Sequence, residues 1–227
     1  MNICVIPARG GSKRIPRKNI KRFHGKPMIA WSIEAAIKSK CFDKIIVSTE
    51  DKEIADVAIC YGAEIPFLRP TDLSDDTAST PAVMKHAAIW LTDNYQDIDN
   101  ICCIFATAPL IDFETIRSGL NKINELNTNY VITLGRYSSP IQRAMYIDYS
   151  NTVSMFQPEN FQKRSQDLKE AYFDAAQFYW GKPRSWIKED LLFSNKTKAI
   201  VIDDVRVQDI DTMDDWKMAE LKASYVL

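Results

Sequence analysis

The sequence predicts an α/β fold in which a mostly parallel sheet is covered by helices on both faces. Its 227 residues, 46% of them apolar, are enough for one such domain spanning 1–227. Short continuous apolar runs of strand length recur along the chain, and segments with helical periodicity separate them. Alternation of this kind is typical of parallel sheets, which bind ligands beyond the carboxyl ends of their strands.

The predicted elements alternate regularly over the first 135 residues. Strands are predicted in five apolar runs, of which the third is the weakest: "NICVIPA" (2–8), "KIIVST" (44–49), "AEIPF" (63–67), "NICCIFA" (100–106) and "YVITLG" (130–135). Helices are predicted between these runs, with Pro27 in the first turn of the first helix and Gly62 stopping the second: 27–39, 51–62, 80–94 and 112–126.

The second part of the chain is less regular. Residues 140–170 contain aromatic residues and methionines without a clear period, which fits either a flap or an interface arm. The pattern then returns with a strand in "AYFDAAQFYWG" (171–181), whose residues alternate as in a half-buried strand. A further strand in "KAIVIDD" (198–204) and a last helix from about Thr212 complete the prediction.

Charge is unevenly distributed along a chain whose formal net charge is only −1. Residues 6–26 hold eight basic residues and no acidic one, and the first acidic residue is Glu34. The five cysteines lack the spacing of metal ligands or of a secreted disulfide framework, and the first residues do not have the pattern of a signal peptide. No apolar run reaches the ~20 residues that span a bilayer. We therefore expect a cytoplasmic protein without a membrane partner.

The basic segment joins the first strand to the first helix over roughly 19 residues, whereas a βα loop usually has about 2–6. Gly10 and Gly11 allow a tight turn that presents backbone amides to an anion. Five side chains can add charged hydrogen bonds: Arg9, Lys13, Arg14, Arg17 and Lys18. The segment matches neither the P-loop nor the dinucleotide-binding pattern. Charge alone leaves open a polyphosphate cradle and a solvated or nucleic-acid-binding basic loop.

A pair of carboxylates lies near the other end of the chain, in "QDIDT" (208–212). Asp209 and Asp211 are two residues apart, so in an extended segment both side chains leave on the same side while Ile210 points to the core. Such a pair can hold Mg²⁺ together with substrate phosphates and water. The alternative is that Asp211 or Thr212 caps the last helix.

Six segments of the chain together resemble the CMP-sugar-acid synthetases, the cytidylyltransferases of sialic and related nonulosonic acids. They are "IPARGGSKRIPRKNI" (6–20), "GKPMIAWSIEAA" (25–36), "FDKIIVSTED" (42–51), "YGAEIPFLRP" (61–70), "LSDDTAS" (73–79) and "QDIDT" (208–212). The first segment is the most specific, and the resemblance covers essentially the whole chain. It implies a Rossmann-like nucleotidyltransferase fold, with 140–170 as a small dimerisation arm of a homodimer.

The resemblance also implies roles for individual residues. Arg9 and Lys13 would hold the phosphates of CTP, with Lys18 beside them, and Asn19 would help to hold the nucleotide. Arg69 and the stretch "DTAS" (76–79), Ser79 in particular, would contact cytosine or ribose. The complete nucleotide-binding set is then Arg9, Gly10, Gly11, Ser12, Lys13, Lys18, Asn19, Arg69 and Ser79. Asp209 and Asp211 match the magnesium pair, and the catalytic set is Arg9, Lys13, Asp209 and Asp211.

Two departures from the sialate pattern concern the sugar side. Phe105 and Ile111, in "FATAPLI" (105–111), stand where the sialate synthetases have glutamine and arginine. The segment "FDAAQFYWG" (173–181) replaces a second sialate pattern, and both segments resemble the pseudaminic acid branch instead. The expected sugar-binding residues are Arg164, Asp174 and Gln177.

The resemblance implies a reaction and its partners. The anomeric hydroxyl of a nine-carbon 2-keto sugar acid, pseudaminic acid in the first place, would attack the α-phosphorus of CTP, and pyrophosphate would leave. The CMP-sugar would serve surface glycan or flagellin glycosylation. A legionaminic or sialic acid synthetase is the alternative within the family, and a nucleic-acid-binding module or a nicotinamide oxidoreductase is the alternative outside it.

Overall fold

The computed structural model describes residues 1–75 and 78–227, which form an α/β fold around a six-stranded sheet. The strands are β1 (Asn2–Pro7), β2 (Arg22–Phe23), β3 (Lys26–Pro27), β4 (Lys44–Ser48), β5 (Asn100–Ile104), β6 (Tyr130–Arg136), β7 (Met145–Ile147), β8 (Val153–Met155), β9 (Tyr172–Gly181) and β10 (Thr197–Val201). The helices are α1 (Met28–Ser39), α2 (Lys52–Cys60), α3 (Thr80–Asn94), α4 (Phe113–Ile123), α5 (Pro183–Lys188) and α6 (Met213–Val226).

The strand order in the sheet is β10-β6-β9-β5-β1-β4. Five of these strands run parallel to one another, and β9 runs antiparallel to both of its neighbours, β5 and β6. The first residues of β9 therefore lie at the carboxyl edge, where the parallel strands end. The loops that follow β1, β4, β5 and β10 end at the same edge, which is where an α/β sheet binds its ligands.

The sheet is buried on both faces. Alternate residues of each strand point to opposite sides, so Ile6 packs with α1, α2 and α4 while Val5 packs with α3 and α5. Burial on both sides explains why the strands are continuously apolar in the sequence. A third cluster joins α6 to β2 through an edge-to-face contact of Phe23 and Trp216, whose ring centroids are 5.5 Å apart.

Most of the predicted elements are confirmed, and the exceptions have local causes. The weakest predicted strand, 63–67, provides only one parallel bridge, between Ile46 and Glu64. Pro27 is the N-cap residue of α1 and not a residue of its first turn. Helix α5 was not predicted, because its six residues are too few to show helical periodicity.

Residues 140–170 contain a small antiparallel hairpin, formed by β7 and β8, and several turns of 3-10 helix. This segment leaves the sheet after β6 and returns directly into β9. Its apolar side chains are exposed, and among them are Tyr146, Phe156 and Phe161. Among the described residues, no helix combines the length and apolar character that a membrane crossing requires.

Candidate nucleotide site

A cavity of about 210 Å³ lies at the carboxyl edge of the sheet, between the basic loop that follows β1, the start of α3 and the loop that follows β5. Its lining combines cationic, polar and apolar side chains: Pro7, Arg9, Ser12, Lys13, Arg14, Ile15, Lys18, Asn19, Arg69, Ala78, Thr80, Val83, Phe105, Ala106, Thr107 and Asp211. The structure thus gathers residues from both ends of the chain and from three intervening loops. A site with this excess of positive charge suits a polyanionic ligand.

The basic loop is held in shape by its own backbone and by a buried amide. The Asn19 side chain, only 6% exposed, donates from Nδ2 to the carbonyl of Arg9 over 2.9 Å. The amide of Ser12 donates to the carbonyl of Gly10 over 3.0 Å, and the amide of Gly10 donates to Glu50 over 2.7 Å. Two of the amides expected to face an anion are therefore bonded within the protein. Anion binding in this loop depends mainly on the side chains.

Only the first glycine of the pair is required by its surroundings. A Cβ atom at Gly10 would collide with the carboxylate of Asp51, whereas one at Gly11 would meet no atom within 4 Å. Gly10 thus allows the loop to pass directly over the start of α2.

Arg17 anchors the loop and does not line the cavity. Its guanidinium binds both carboxylate oxygens of Asp51 and also pairs with Glu53. Asp51 is the N-cap of α2, accepting from the amide of Ile54 over 3.0 Å. Arg17 lowers the pKa of the Asp51 carboxyl. The sequence reasoning counted Arg17 among the anion ligands, and the structure corrects this, because two carboxylates already hold its charge.

Glu50 is a site residue that the sequence analysis missed. Its Oε1 accepts from the amide of Gly10, and its Oε2 accepts from Nη2 of Arg69 over 2.7 Å. Burial alone would raise the pKa of the Glu50 carboxyl, but the Gly10 amide and the Arg69 guanidinium outweigh it and lower the pKa. The only signal in the sequence was the position of Glu50 directly after a strand, at the carboxyl edge of the sheet.

The loop that follows β10 meets the basic loop across the cavity. Nη2 of Arg14 lies 2.8 Å from Oδ1 of Asp211, and Nζ of Lys18 lies 3.5 Å from the same oxygen. Lys18 also donates to the carbonyl of Ile210 over 2.5 Å. Asp211 is therefore in contact with the basic loop, whereas Asp209 is not among the residues that line the cavity.

Asp209 and Asp211 are separate from the cap of α6. Thr212 is the N-cap, and it forms a reciprocal capping box with Asp215. Partial burial raises the pKa of Asp209, and the charge of Asp211 raises it further. A hard cation would relieve both effects, so the pair fits Mg²⁺ as far as two carboxylates can. In the described part of the chain no group of three or more His, Cys, Asp or Glu side chains could hold a metal ion, so the remaining ligands have to come from a substrate and water.

The start of β9 carries a second polar group beside the cavity. Asp174 accepts hydrogen bonds from the hydroxyl of Tyr179 and from the amide of Ala176, the latter over 2.9 Å. Gln177 is 3% exposed, and its Nε2 donates to the carbonyl of Arg206 over 2.6 Å, while its Oε1 has no partner among residues 1–75 and 78–227. Phe105, which lines the cavity, packs edge to face on Tyr179 with ring centroids 5.1 Å apart.

Seven predicted site residues do not line the cavity: Gly10, Gly11, Ser79, Arg164, Asp174, Gln177 and Asp209. Arg164 is exposed on the 140–170 segment and pairs with Asp167, with Nε 2.9 Å from Oδ2. Ser79 is the N-cap of α3, accepting from the amide of Ala82 over 3.3 Å, between the lining residues Ala78 and Thr80. Asp76 and Thr77, the first residues of the predicted "DTAS" contact, lie outside the described residues.

The sequence matches the sequence model of the cytidylyltransferase family over residues 3–217. It is 44% identical to the pseudaminic acid cytidylyltransferase of Campylobacter jejuni strain 81-176, over 97% of this chain and 95% of the relative. It is 34% identical to the CMP-N,N'-diacetyllegionaminic acid synthase of Legionella pneumophila, over 96% of this chain and 94% of the relative.

A solved structure of CMP:2-keto-3-deoxy-manno-octonic acid synthetase complexed with CTP has the same fold. Its TM-score is 0.72 at 14% identity, and the match covers 100% of this chain and 99% of that one. The family match and the close relatives extend over nearly the whole chain, including the basic loop, Glu50 and the carboxylate pair. The chain therefore belongs to the cytidylyltransferase family and is a CTP-dependent nucleotidyltransferase.

Proposed function

We propose that this enzyme transfers CMP from CTP to the anomeric hydroxyl of pseudaminic acid and releases pyrophosphate. The observation that carries the proposal is the 44% identity, over 97% of the chain, to a relative named for this activity. The departures at Phe105 and Ile111 support it on the sugar side. Phe105 lines the cavity with an aromatic face where an amide stands in sialate synthetases, and Ile111 is a core residue that is 6% exposed.

The phosphates of CTP are assigned to the basic loop. Arg9, Lys13 and Lys18 line the cavity, and their charges suit three successive phosphoryl groups. Lys13 and Arg9 would stabilise the charge that develops on the departing pyrophosphate, which is the main contribution that a protein makes to phosphoryl transfer. Gly10, Gly11 and Ser12 hold these side chains on a tight turn.

The base and ribose are assigned to the opposite side of the cavity. Arg69 is 5% exposed and lines the cavity, and Asn19 fixes the basic loop between the base and the phosphates. Ser79 stays a predicted nucleotide contact, reached through the start of α3. Buried, well-fixed donors of this kind favour the carbonyl and amino pattern of one base over the others.

Mg²⁺ is the proposed cofactor, with Asp209 and Asp211 as its protein ligands. When bound, the ion supplies positive charge to the reacting phosphate. The chain's own contribution is to place the two carboxylates two residues apart, with Asp211 in contact with the basic loop. Arg14 and Lys18 hold Asp211 in place from across the cavity.

The sugar acid is assigned to the side of the cavity where β9 begins. Asp174 and Gln177 offer hydrogen-bond acceptors there, and Gln177 has a buried oxygen without a partner. In the reaction, the bond from the sugar's 2-oxygen to the α-phosphorus forms, and the bond to the β-phosphate oxygen breaks. The hydroxyl proton leaves with solvent, and no covalent protein intermediate is required.

We further propose that the enzyme is a homodimer that pairs through residues 140–170. The exposed aromatic side chains of this segment support the proposal, because an apolar surface of this kind is usually covered. Arg164 lies on this segment, away from the cavity of its own chain, so its proposed contact with the sugar carboxylate depends on the dimer. Its planar guanidinium suits a carboxylate.

The test is pyrophosphate release measured with a panel of substrates. With CTP and magnesium, we expect pseudaminic acid to give the highest kcat/KM, ahead of legionaminic and sialic acids. With pseudaminic acid, we expect CTP to exceed UTP, ATP and GTP. A higher rate with legionaminic acid would identify the enzyme as a legionaminic acid synthetase instead. Equal rates with all four nucleotides would contradict the proposed base site.

A further inference from the structure

We propose that Glu50 is a positioning residue that keeps Arg69 directed to the base end of the nucleotide and prevents it from binding phosphate. The inference deepens the proposed function and rests on it. Glu50 is not among the residues that the family resemblance singles out. Its place in the site follows from the hydrogen bonds that it makes in the structure.

The carboxylate of Glu50 connects the two walls of the cavity. One oxygen accepts from the amide of Gly10 in the basic loop, and the other accepts from Nη2 of Arg69, each over 2.7 Å. The side chain of Arg69 is 3% exposed and that of Glu50 is 20% exposed, so this pair is shielded from water. A shielded pair with two charged hydrogen bonds fixes both side chains in one arrangement.

The charges around the cavity show why such a carboxylate is useful. Arg9, Lys13 and Lys18 already line the phosphate side, and an unpaired Arg69 would add a further cation that is itself buried. A triphosphate could then bind in the wrong direction, with its phosphates at Arg69. Pairing with Glu50 cancels the charge of Arg69, so its attraction for a phosphate is largely lost.

Arg69 still has a hydrogen-bond donor to offer when its charge is balanced by Glu50. Its Nε donates to Ser74 over 3.3 Å and its Nη2 donates to Glu50, while Nη1 has no partner in the described part of the chain. A guanidinium held along one edge can still donate from its other edge to a neutral acceptor such as a base carbonyl. The pair is therefore built to recognise a neutral group.

The same carboxylate fixes the distance between the two ends of the bound nucleotide. Glu50 holds the turn at Gly10, next to Arg9, and also holds Arg69. The basic loop, which is assigned to the phosphates, and Arg69, which is assigned to the base, are thus both held by one residue just after β4. Such preorganisation favours ligands that reach both walls at once.

The experiment compares Glu50→Gln with the wild-type enzyme by calorimetric titration at fixed magnesium, using CTP, CMP and inorganic tripolyphosphate. Removing a charged hydrogen-bond partner typically costs about tenfold or more in affinity. We expect the dissociation constants of CTP and CMP to rise by about that factor, while tripolyphosphate binds as tightly as before or more tightly. KM for CTP should rise while kcat at saturation changes little.

The outcomes separate a positioning role from a merely structural one. If Glu50 only holds the loop together, tripolyphosphate affinity falls as much as CTP affinity, and this result overturns the inference. Unchanged CTP affinity in Glu50→Gln also overturns it. Should this variant not fold, Glu50→Asp keeps the charge on a side chain one methylene shorter, so CMP affinity should fall while tripolyphosphate affinity stays at the wild-type value.

Two further variants complete the design. Glu64→Gln is the matched control, because Glu64 also pairs with a cation, Lys44, but lies outside the cavity, and no ligand affinity should change. Arg69→Gln should weaken the binding of CMP without strengthening the binding of tripolyphosphate, because the guanidinium itself is removed. If the wild-type enzyme fails to prefer CTP over UTP, the proposed function fails. If the wild-type enzyme prefers CTP but Glu50→Gln has the wild-type affinities for CTP, CMP and tripolyphosphate, the inference about Glu50 fails and the proposed function stands.

Discussion

The basic loop and the 140–170 segment are the two long excursions from the sheet, and they are stabilised in opposite ways. Asn19 holds the basic loop internally, and the loop is tied to two other parts of the chain, to Glu50 and Asp51 after β4 and to Ile210 after β10. The 140–170 segment makes its own hairpin and turns, and leaves its aromatic side chains in solvent. The basic loop is thus stabilised by contacts within the chain, whereas the aromatic side chains of the 140–170 segment are exposed in it.

This difference indicates a division of labour within one site. The nucleotide side needs fixed charges, since catalysis of phosphoryl transfer depends on preorganised electrostatics. The sugar side borders a segment whose apolar surface remains uncovered in one chain. We therefore expect nucleotide binding to be a property of the single chain and sugar binding to depend on the assembly.

The largest expected effect follows from removing a charge on the nucleotide side. Lys13→Ala should lower turnover by ~100-fold or more, because the lysine stabilises charge in the transition state. Pyrophosphate release under saturating substrates measures this. Lys21→Ala is the matched control in the same basic segment, since Lys21 lies over the Trp216 ring and outside the cavity lining. Near-normal turnover in Lys13→Ala would contradict the assignment of the loop.

The carboxylate pair should give the next largest effect. Asp209→Asn and Asp211→Asn should strongly reduce turnover and raise the magnesium concentration for half-maximal rate, because an amide cannot replace the charge that a hard cation needs. Thermal stability should change little, since Thr212 and Asp215 cap α6 without them.

Asp214→Asn is the control for this pair. It removes a similar charge from the first turn of α6, where the side chain is exposed and pairs with Lys217. It should cost only ~0.3–1 kcal/mol of stability and leave the magnesium dependence alone. The metal assignment would be wrong if all three variants showed the same magnesium dependence.

The third prediction tests the other side of the comparison. Tyr146 and Phe156 lie on the hairpin with ring centroids 5.1 Å apart, and both are exposed. If the proposed homodimer pairs through this hairpin, replacing both with Ser should give a monomer in sedimentation experiments, raise KM for the sugar acid several-fold, and leave CTP affinity unchanged. Tyr225→Ser, at another exposed position, should do none of this. If the double variant lost CTP binding as well, nucleotide binding would not be a property of the single chain, and the proposed division between the two sides of the site would be wrong.

The smallest expected effect concerns the anchor of the basic loop. Arg17 lowers the pKa of Asp51, so the stabilisation is present above the ordinary pKa of the carboxyl and is lost as the pH falls through the lowered value. Asp51→Asn should cost up to ~1 kcal/mol at neutral pH, because the cap remains and only a partly exposed ion pair is lost. Denaturation at pH 7 and in acid should show the difference disappearing in acid.

Much of this architecture could be predicted from local patterns. Helix α3 has the bounds that its periodicity indicated, and the loop after β1 contacts Asp211, as expected for a basic loop and a carboxylate pair that bind the same substrate. The direction of β9 could not be read in this way, because alternation reports which residues are buried and not which way a strand runs. The roles of Glu50 and Arg17 depend on partners 19 to 40 residues away in the sequence, which no local pattern specifies.

The reversed strand has a consequence for how this enzyme can be re-engineered. The chain leaves the sheet at Arg136 and re-enters it at Tyr172, which pair directly in neighbouring strands. Residues 137–171 therefore form one uninterrupted stretch whose two ends are held side by side, and Asp174 and Gln177 follow directly in β9. A transplant of 137–177 from a relative with another sugar acid would therefore exchange Arg164, Asp174 and Gln177 in a single cassette and leave the basic loop intact, with Phe105 changed separately.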